Sequence, residues 1–141
     1  MINFKHFFLL LFFIIFHIAN VAAADFIGVI GYAIGNVENQ NKEKLVHGSK
    51  IYFGDTIIVN KESNAQVILL DETVLTVGED SEVIINEFIY DPKSKSGKIV
   101  SNILSGTVKV MTGNISKNNP EDLEIKMPTG TLGARGTEFV V

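Results

Sequence analysis

The amino-acid sequence predicts an all-β fold, either a short-stranded β-roll or solenoid or a rolled sandwich, preceded by a cleavable N-terminal signal helix. Residues 25–141 contain 14 Ile, 13 Val and 8 Thr, against 7 Leu and 3 Ala, and β-branched side chains favour strands over helices. All 12 glycines fall in the same range, spaced as turn residues. Because no segment keeps apolar residues at helical spacing for three turns, we expect little helix.

Residues 1–24 carry the charged, apolar and small-residue order that is typical of a secretory signal peptide. Lys5 precedes an unbroken apolar run at residues 7–16, and three alanines end the segment at Ala24. The run is shorter than the roughly 20 residues of a membrane-spanning helix. We therefore predict cleavage after Ala24 and export to the periplasm, with an uncleaved membrane anchor as the alternative. These residues also account for the positive mean hydropathy of +0.26.

The remaining 117 residues are enough for one domain. The absence of cysteine excludes a disulfide scaffold, a thiolate zinc site and a cysteine nucleophile. The formal charge of the whole chain is −4, and residues 25–141 carry 11 basic against 16 acidic side chains. Nucleic acids and anionic lipids require a cationic face, so we expect no nucleic-acid partner, and contact with a membrane only through an uncleaved leader.

Short β-branched runs bounded by turn residues predict ten strands. Alternating apolar and polar residues predict one exposed face for the strands that contain Val108 and Ile125. The unbroken apolar run at residues 67–70 predicts cover on both faces. The predicted strands are residues 26–34, 50–53, 56–60, 65–70, 73–77, 82–88, 98–103, 107–111, 123–127 and 137–141.

Three polar segments are predicted as loops that bury too little surface to be strongly ordered. They are residues 36–48, 91–97 and 116–122. Around them, short strands recur at near-regular spacing, which suits either a solenoid or a sandwich and does not decide between them.

Few residues suggest chemistry. His47 is the only histidine after residue 24, and a single histidine in a charged segment is most often solvated. Carboxylates at residues 71–72 and 79–82 could hold a hard cation, but their spacing fits no calcium motif, and acidic residues are ordinary in turns. The glycines at residues 130–136 match neither a dinucleotide fingerprint nor a P-loop. We expect no cofactor, no metal, no catalytic residue and no enzymatic activity.

Arg135 is the only arginine of the chain and lies between two glycines. Its planar group of donors suits a buried carboxylate or several backbone carbonyls. We expect it to fix a turn onto the sheet, through Asp55 or Asp71, with an anion or partner contact as the alternative.

Six motifs, taken in order, resemble the periplasmic domain of FecR-type proteins over about residues 48–140. They are GDTI at residues 54–57, SNAQV at 63–67, DETVLTVG at 71–78, SEV at 81–83, LSGTVKV at 104–110 and MPTGTLGARGTEF at 127–139. The residues that carry the resemblance, as structural or interaction positions, are Gly54, Asp55, Asp71, Gly106, Pro128, Arg135, Gly136, Thr137 and Phe139.

The resemblance implies an exported all-β domain of bacteria. In the best-known members, this domain senses an outer-membrane receptor and relays its state to a cytoplasmic sigma factor. The sequence departs from that plan, since only six residues precede the apolar run, and we expect no direct sigma-factor regulation. Glu72 stands where the family often has glycine. The chain stops at Val141 within a predicted strand, so we expect either a shortened domain or an unpaired edge.

The predicted function is a non-enzymatic domain that binds a protein partner in the cell envelope, in sensing or signalling. An exposed edge at residues 137–141 could add a strand to that partner. The alternative is a module for envelope polysaccharide or a cation, using the acidic turn residues.

Overall fold

The computed structural model describes residues 25–133 and 136–141, and these residues form an all-β domain, as the composition predicts. The signal peptide and its cleavage after Ala24 lie outside the described residues. Among those that are described, no helix is both long and apolar enough to cross a membrane.

Twelve strands, one helix and one 3₁₀ turn make up the domain. In chain order they are β1 (Phe26–Ile34), β2 (Val37–Asn39), β3 (Lys50–Tyr52), β4 (Thr56–Val59), β5 (Asn64–Leu69), β6 (Val74–Val77), β7 (Ser81–Asp91), β8 (Ser96–Ser105), β9 (Val108–Met111), helix α1 (Asn114–Asn118), the 3₁₀ turn (Pro120–Asp122), β10 (Leu123–Met127), β11 (Gly130–Gly133) and β12 (Glu138–Val140).

The strands form two six-stranded sheets that share one core. Sheet A has the order β12-β9-β6-β5-β1-β3, and sheet B has the order β11-β10-β8-β7-β4-β2. All pairings are antiparallel except the parallel pairing of β8 with β10. Buried residues of both sheets belong to a single apolar cluster, so the domain is a sandwich, and this decides between the two architectures that the sequence left open.

Alternating burial along the strands builds this core. In β9, Val108 and Val110 are buried while Lys109 and Met111 are exposed. In β10, Leu123 and Ile125 are buried and Lys126 is exposed. The one-sided exposure predicted for these two strands is confirmed.

The prediction that residues 67–70 are covered on both faces is wrong. Strand β5 alternates, with Val67 and Leu69 buried and Ile68 half-buried on the outer face of sheet A. Leu70 lies in the turn after the strand and is 46% exposed. Four apolar residues in a row therefore do not require two covered faces in an antiparallel sandwich.

The three predicted loops are more ordered than their composition suggests. Residues 36–48 contain β2 and the buried Leu45. Residues 91–97 close a hairpin in which β7 and β8 extend to Asp91 and Ser96. Residues 116–118 belong to α1, where Ser116 is buried, and residues 120–122 form the 3₁₀ turn. Each segment is ordered because a few of its residues reach the core or bond to the backbone.

Candidate partner-binding edge

The residues that carry the resemblance to FecR-type proteins fall into two groups. Some shape turns, and the others lie at one edge of sheet A. Gly54 and Asp55 form the turn after β3. Gly54 has a φ of +83°, which favours glycine. The Asp55 carboxylate accepts a hydrogen bond of 2.9 Å from the Tyr52 amide, and the Asp55 amide donates to the Tyr52 carbonyl at 3.0 Å. These two residues are structural.

Asp71 is fully buried and connects two parts of the chain. Its carboxylate accepts hydrogen bonds from the amide and hydroxyl of Thr73, at 3.0 and 2.8 Å, and from the Ile115 amide at 3.3 Å. Its carbonyl accepts from the Asn114 amide at 2.7 Å. Because backbone and hydroxyl donors surround the carboxylate, Asp71 holds the β5–β6 turn against the start of α1.

Gly106 allows a close contact between two turns. It has a φ of +83°, and a Cβ at this position would lie 2.0 Å from the Ser81 hydroxyl oxygen. That oxygen accepts a hydrogen bond of 3.0 Å from the Thr107 amide. Gly106 is therefore a packing residue, and it also lines the groove beside β12.

The other residues of the resemblance gather near β12, the outer strand of sheet A. Gly136 and Thr137 lead into the strand, and the Thr137 carbonyl accepts hydrogen bonds from the amide and hydroxyl of Thr112, at 2.9 and 3.2 Å. Phe139 packs against the core. Pro128 lines a groove beside the same edge. Arg135 and its expected contact with Asp55 or Asp71 lie outside the described residues, and that expectation stays a prediction.

Only one side of β12 is paired within the described residues. Val108 and Val141 exchange two hydrogen bonds of 2.9 Å, and Thr112 donates to Thr137. In an antiparallel pair the inward and outward backbone groups alternate. The N–H and C=O groups of Glu138 and Val140 therefore point away from β9, toward the open edge.

The side chains at this edge offer both charge and apolar surface. Val140 is 64% exposed. The Glu138 carboxylate lies 2.9 Å from the Lys109 ammonium on the neighbouring strand, and both side chains are about half exposed. This ion pair fixes Glu138 on the outer face and leaves the backbone of the edge accessible.

A groove lies where the edge meets sheet B. It has a volume of about 230 Å³, and its apolar walls come from Leu104, Met127, Pro128 and Val141. Sites for small molecules have volumes of about 300–1,000 Å³, so this groove suits a side chain of a partner better than a cofactor. Leu104, which also lines a neighbouring cavity of about 240 Å³, is 46% exposed.

The sequence marks Pro128 as a residue of the resemblance and places Leu104 and Met127 within its motifs, but it does not show that these residues form a groove. Leu104 is the next-to-last residue of β8, Met127 ends β10, and Val141 follows β12. The three positions meet only through sheet packing, and no local pattern shows that contact.

The remaining candidates for chemistry do not form a site. His47 is exposed, and its Nδ1 donates to the Gly31 carbonyl at 2.6 Å. The acidic residues that follow β5 and those that follow β6 lie at opposite ends of the four-residue strand β6. In residues 25–133 and 136–141, no group of three or more His, Asp or Glu side chains could hold a metal ion.

Comparison with models of known protein families shows to which family the chain belongs. A family model described as FecR protein matches residues 55–141, more than half of the chain. The chain belongs to the FecR family. The resemblance read from the motifs is thereby confirmed, and the family is one of regulation and signalling through protein partners. No curated protein and no solved structure matches the chain.

The FecR match begins at Asp55, but the domain begins earlier. Strand β1 lies between β3 and β5 inside sheet A, and β2 pairs with β4 in sheet B. Ile27, Ile30 and Ile51 from these early strands are fully buried. Residues 26–52 are therefore part of the same sandwich as the matched region.

Proposed function

We propose that this FecR-family domain is a non-enzymatic signalling module that binds a protein partner by adding a strand of the partner to β12. The observation that supports the proposal is the open edge, where the backbone groups of Glu138 and Val140 point outward. Strand addition uses such groups for affinity and nearby pockets for specificity. The groove beside Val141 supplies a pocket of that kind.

The predicted leader supports a location in the periplasm, since its order of charged, apolar and small residues is that of an export signal. A periplasmic domain of a signalling family would meet its partner within the cell envelope. The acidic turns offer less support for the alternative of cation binding, because β6 separates them.

A substitution at Val140 tests strand addition without disturbing the fold. Proline lacks a backbone N–H and is tolerated on edge strands. The N–H of Val140 points outward, so Val140→Pro removes a donor that only a partner strand would use. We expect this variant to lose capture of its envelope partner and to keep its stability within about 1 kcal/mol.

Val140→Thr is the matched control, because it keeps the β-branched shape and the N–H. Cells would express the tagged chain of all 141 residues, and the chain would be cross-linked in its native envelope. It would then be isolated, and its partners would be identified by mass spectrometry. A protein captured by the unaltered chain and by Val140→Thr, but not by Val140→Pro, supports strand addition. Equal capture by all three chains contradicts it.

A further inference from the structure

A second and larger cavity opens at the end of the sandwich opposite to the β12 groove. Its volume is about 480 Å³, within the range of about 300–1,000 Å³ for sites that hold small molecules. The cavity lies between the start of β1, the turn after β5 and the hairpin of β7 and β8. Its walls include Phe26, Leu70, Glu72, Phe88 and Tyr90.

Three aromatic rings form much of the apolar wall. The rings of Phe88 and Tyr90 are 6.5 Å apart and tilted by 56°, and both residues line the cavity. The Asn114 side-chain amide donates to the Tyr90 hydroxyl oxygen at 3.4 Å, which helps to orient that ring. The Phe26 ring already receives a cation, since the Lys50 ammonium lies 5.7 Å from its centre.

Glu72 and Asp25 contribute carboxylates to the cavity wall, and no lysine, arginine or histidine side chain is among the described lining residues. The predicted cleavage after Ala24 would place the α-ammonium group of Asp25 beside its own carboxylate, so Glu72 is the residue that gives the wall its negative charge. Aromatic faces attract cations through their quadrupole, and the attraction strengthens when the cation loses water. The combination of aromatic rings and carboxylates is therefore complementary to a positive group with apolar substituents.

Glu72 provides one of these carboxylates from an unfavourable backbone conformation. Its φ is +70°, in the left-handed region that favours glycine. A glycine would satisfy this turn at lower cost, but it would place no carboxylate at the cavity. The strain makes Glu72 a useful position for separating stability from binding.

We infer that this cavity binds a small organic cation, an ammonium group with apolar substituents. The cation would lie against Phe88 and Tyr90, with Glu72 balancing its charge, because the Lys50 ammonium already lies over the Phe26 ring. This inference does not depend on strand addition at β12, because the two sites lie at opposite ends of the strands.

The probe for the test is choline, and the control ligand is 3,3-dimethylbutan-1-ol, which has nearly the same shape and no charge. Binding would be followed by NMR of the isolated chain, through the ring resonances of Phe88 and Tyr90. We expect choline to shift these resonances in a saturable manner, and the neutral alcohol to shift them much less. Equal binding of both compounds, or no choline-dependent shift, overturns the inference.

Two substitutions of Glu72 complete the test. Glu72→Gln keeps the shape and removes the charge, and we expect it to weaken choline binding about fivefold. Glu72→Gly removes the carboxylate and relieves the backbone strain, so we expect weaker binding by a chain that is at least as stable as the original. Unchanged choline affinity in both variants overturns the role of the carboxylate and with it the proposed site.

Discussion

The edge strands β2 and β3 differ from the edge strand β12 in whether the chain itself bonds their outward backbone groups. At β2, the Leu45 amide donates to the Val37 carbonyl at 2.8 Å, and the Asn39 amide donates to the Glu43 carbonyl at 3.0 Å. At β3, Asp55 bonds both backbone groups of Tyr52. At β12, the outward groups of Glu138 and Val140 have no such partner among the described residues.

Among the described residues, turns of the chain bond the outward backbone groups of β2 and of Tyr52, whereas those of Glu138 and Val140 have no partner. Unprotected edges promote association, and natural sheets normally cover them. The open edge at β12 is the surface on which the proposed strand addition rests, and substitutions in β2 and beside β3 test the difference between it and those two strands.

The largest effect on the free energy of unfolding is expected from a substitution of Asn39, at the end of the edge strand β2. Its side-chain oxygen accepts hydrogen bonds from the amides of Asn41 and Glu43, at 2.9 and 3.0 Å. Asn39→Ala leaves these donors without that acceptor, so the free energy of unfolding should fall by about 2 kcal/mol. Urea unfolding would measure the change, and Asn41→Ala, at an exposed neighbour, should change it by less than about 0.5 kcal/mol.

The Asn39→Ala variant should also expose β2 to exchange. We expect the Leu45 amide to exchange with deuterium much faster than in the unaltered chain, because the residues that cover β2 would open locally. If stability and Leu45 protection both stayed unchanged, the side chain of Asn39 would not be what closes this edge.

A smaller loss of stability is expected from a substitution beside β3. Asp55→Ala removes the acceptor of the Tyr52 amide at an intermediate level of burial, and stability should fall by about 1 kcal/mol in urea unfolding. Asp55→Asn still offers an oxygen to the same amide and should retain most of the stability. An equal loss in both variants would mean that the charge, and not the hydrogen bond, is what stabilises the turn.

The smallest effect is expected at Asp91, in the exposed hairpin turn between β7 and β8. Hydrogen bonds from the Lys93 amide, at 2.9 Å, and the Ser94 hydroxyl, at 3.0 Å, hold the pKa of Asp91 below its ordinary value. A lowered pKa stabilises the folded chain above the pKa of the unfolded chain, and this contribution is lost as the pH falls through the folded value.

An NMR titration of the Asp91 carboxyl carbon would measure this effect. Ser94→Ala should raise the pKa toward its ordinary value without restoring it fully, because the bond from the Lys93 amide is the larger cause. No change in the midpoint would show that the Ser94 hydroxyl does not bond to Asp91 in solution.

The sequence predicts the bounds of some strands correctly. Strands β1 and β10 have the predicted bounds, because turn residues flank their β-branched runs. The three-residue strand β2 and the glycine-bounded β11 carry too few β-branched residues to be recognised, and they form because β4 and β10 offer them partners. Pairing with a distant neighbour is a property of the fold, and local composition does not show it.

The candidate site is predictable only in part. The motif residues Thr137 and Phe139 mark the edge, but the groove depends on Leu104 and Met127, which distant strands bring together. The sequence also does not distinguish motif residues that shape turns, such as Asp55 and Asp71, from those at the edge. The hydrogen bonds of their side chains separate the two groups.

The most direct test of the account is hydrogen exchange, measured by NMR for each backbone amide of the chain. Amides in stable hydrogen bonds exchange slowly, and free amides exchange at nearly the rate of an unfolded chain. The account predicts fast exchange at Glu138 and Val140, and protection at Phe139, Val141, Leu45 and Tyr52. Protection of Glu138 and Val140 equal to that of Phe139, or fast exchange at Leu45 and Tyr52, would contradict the difference between the two edges.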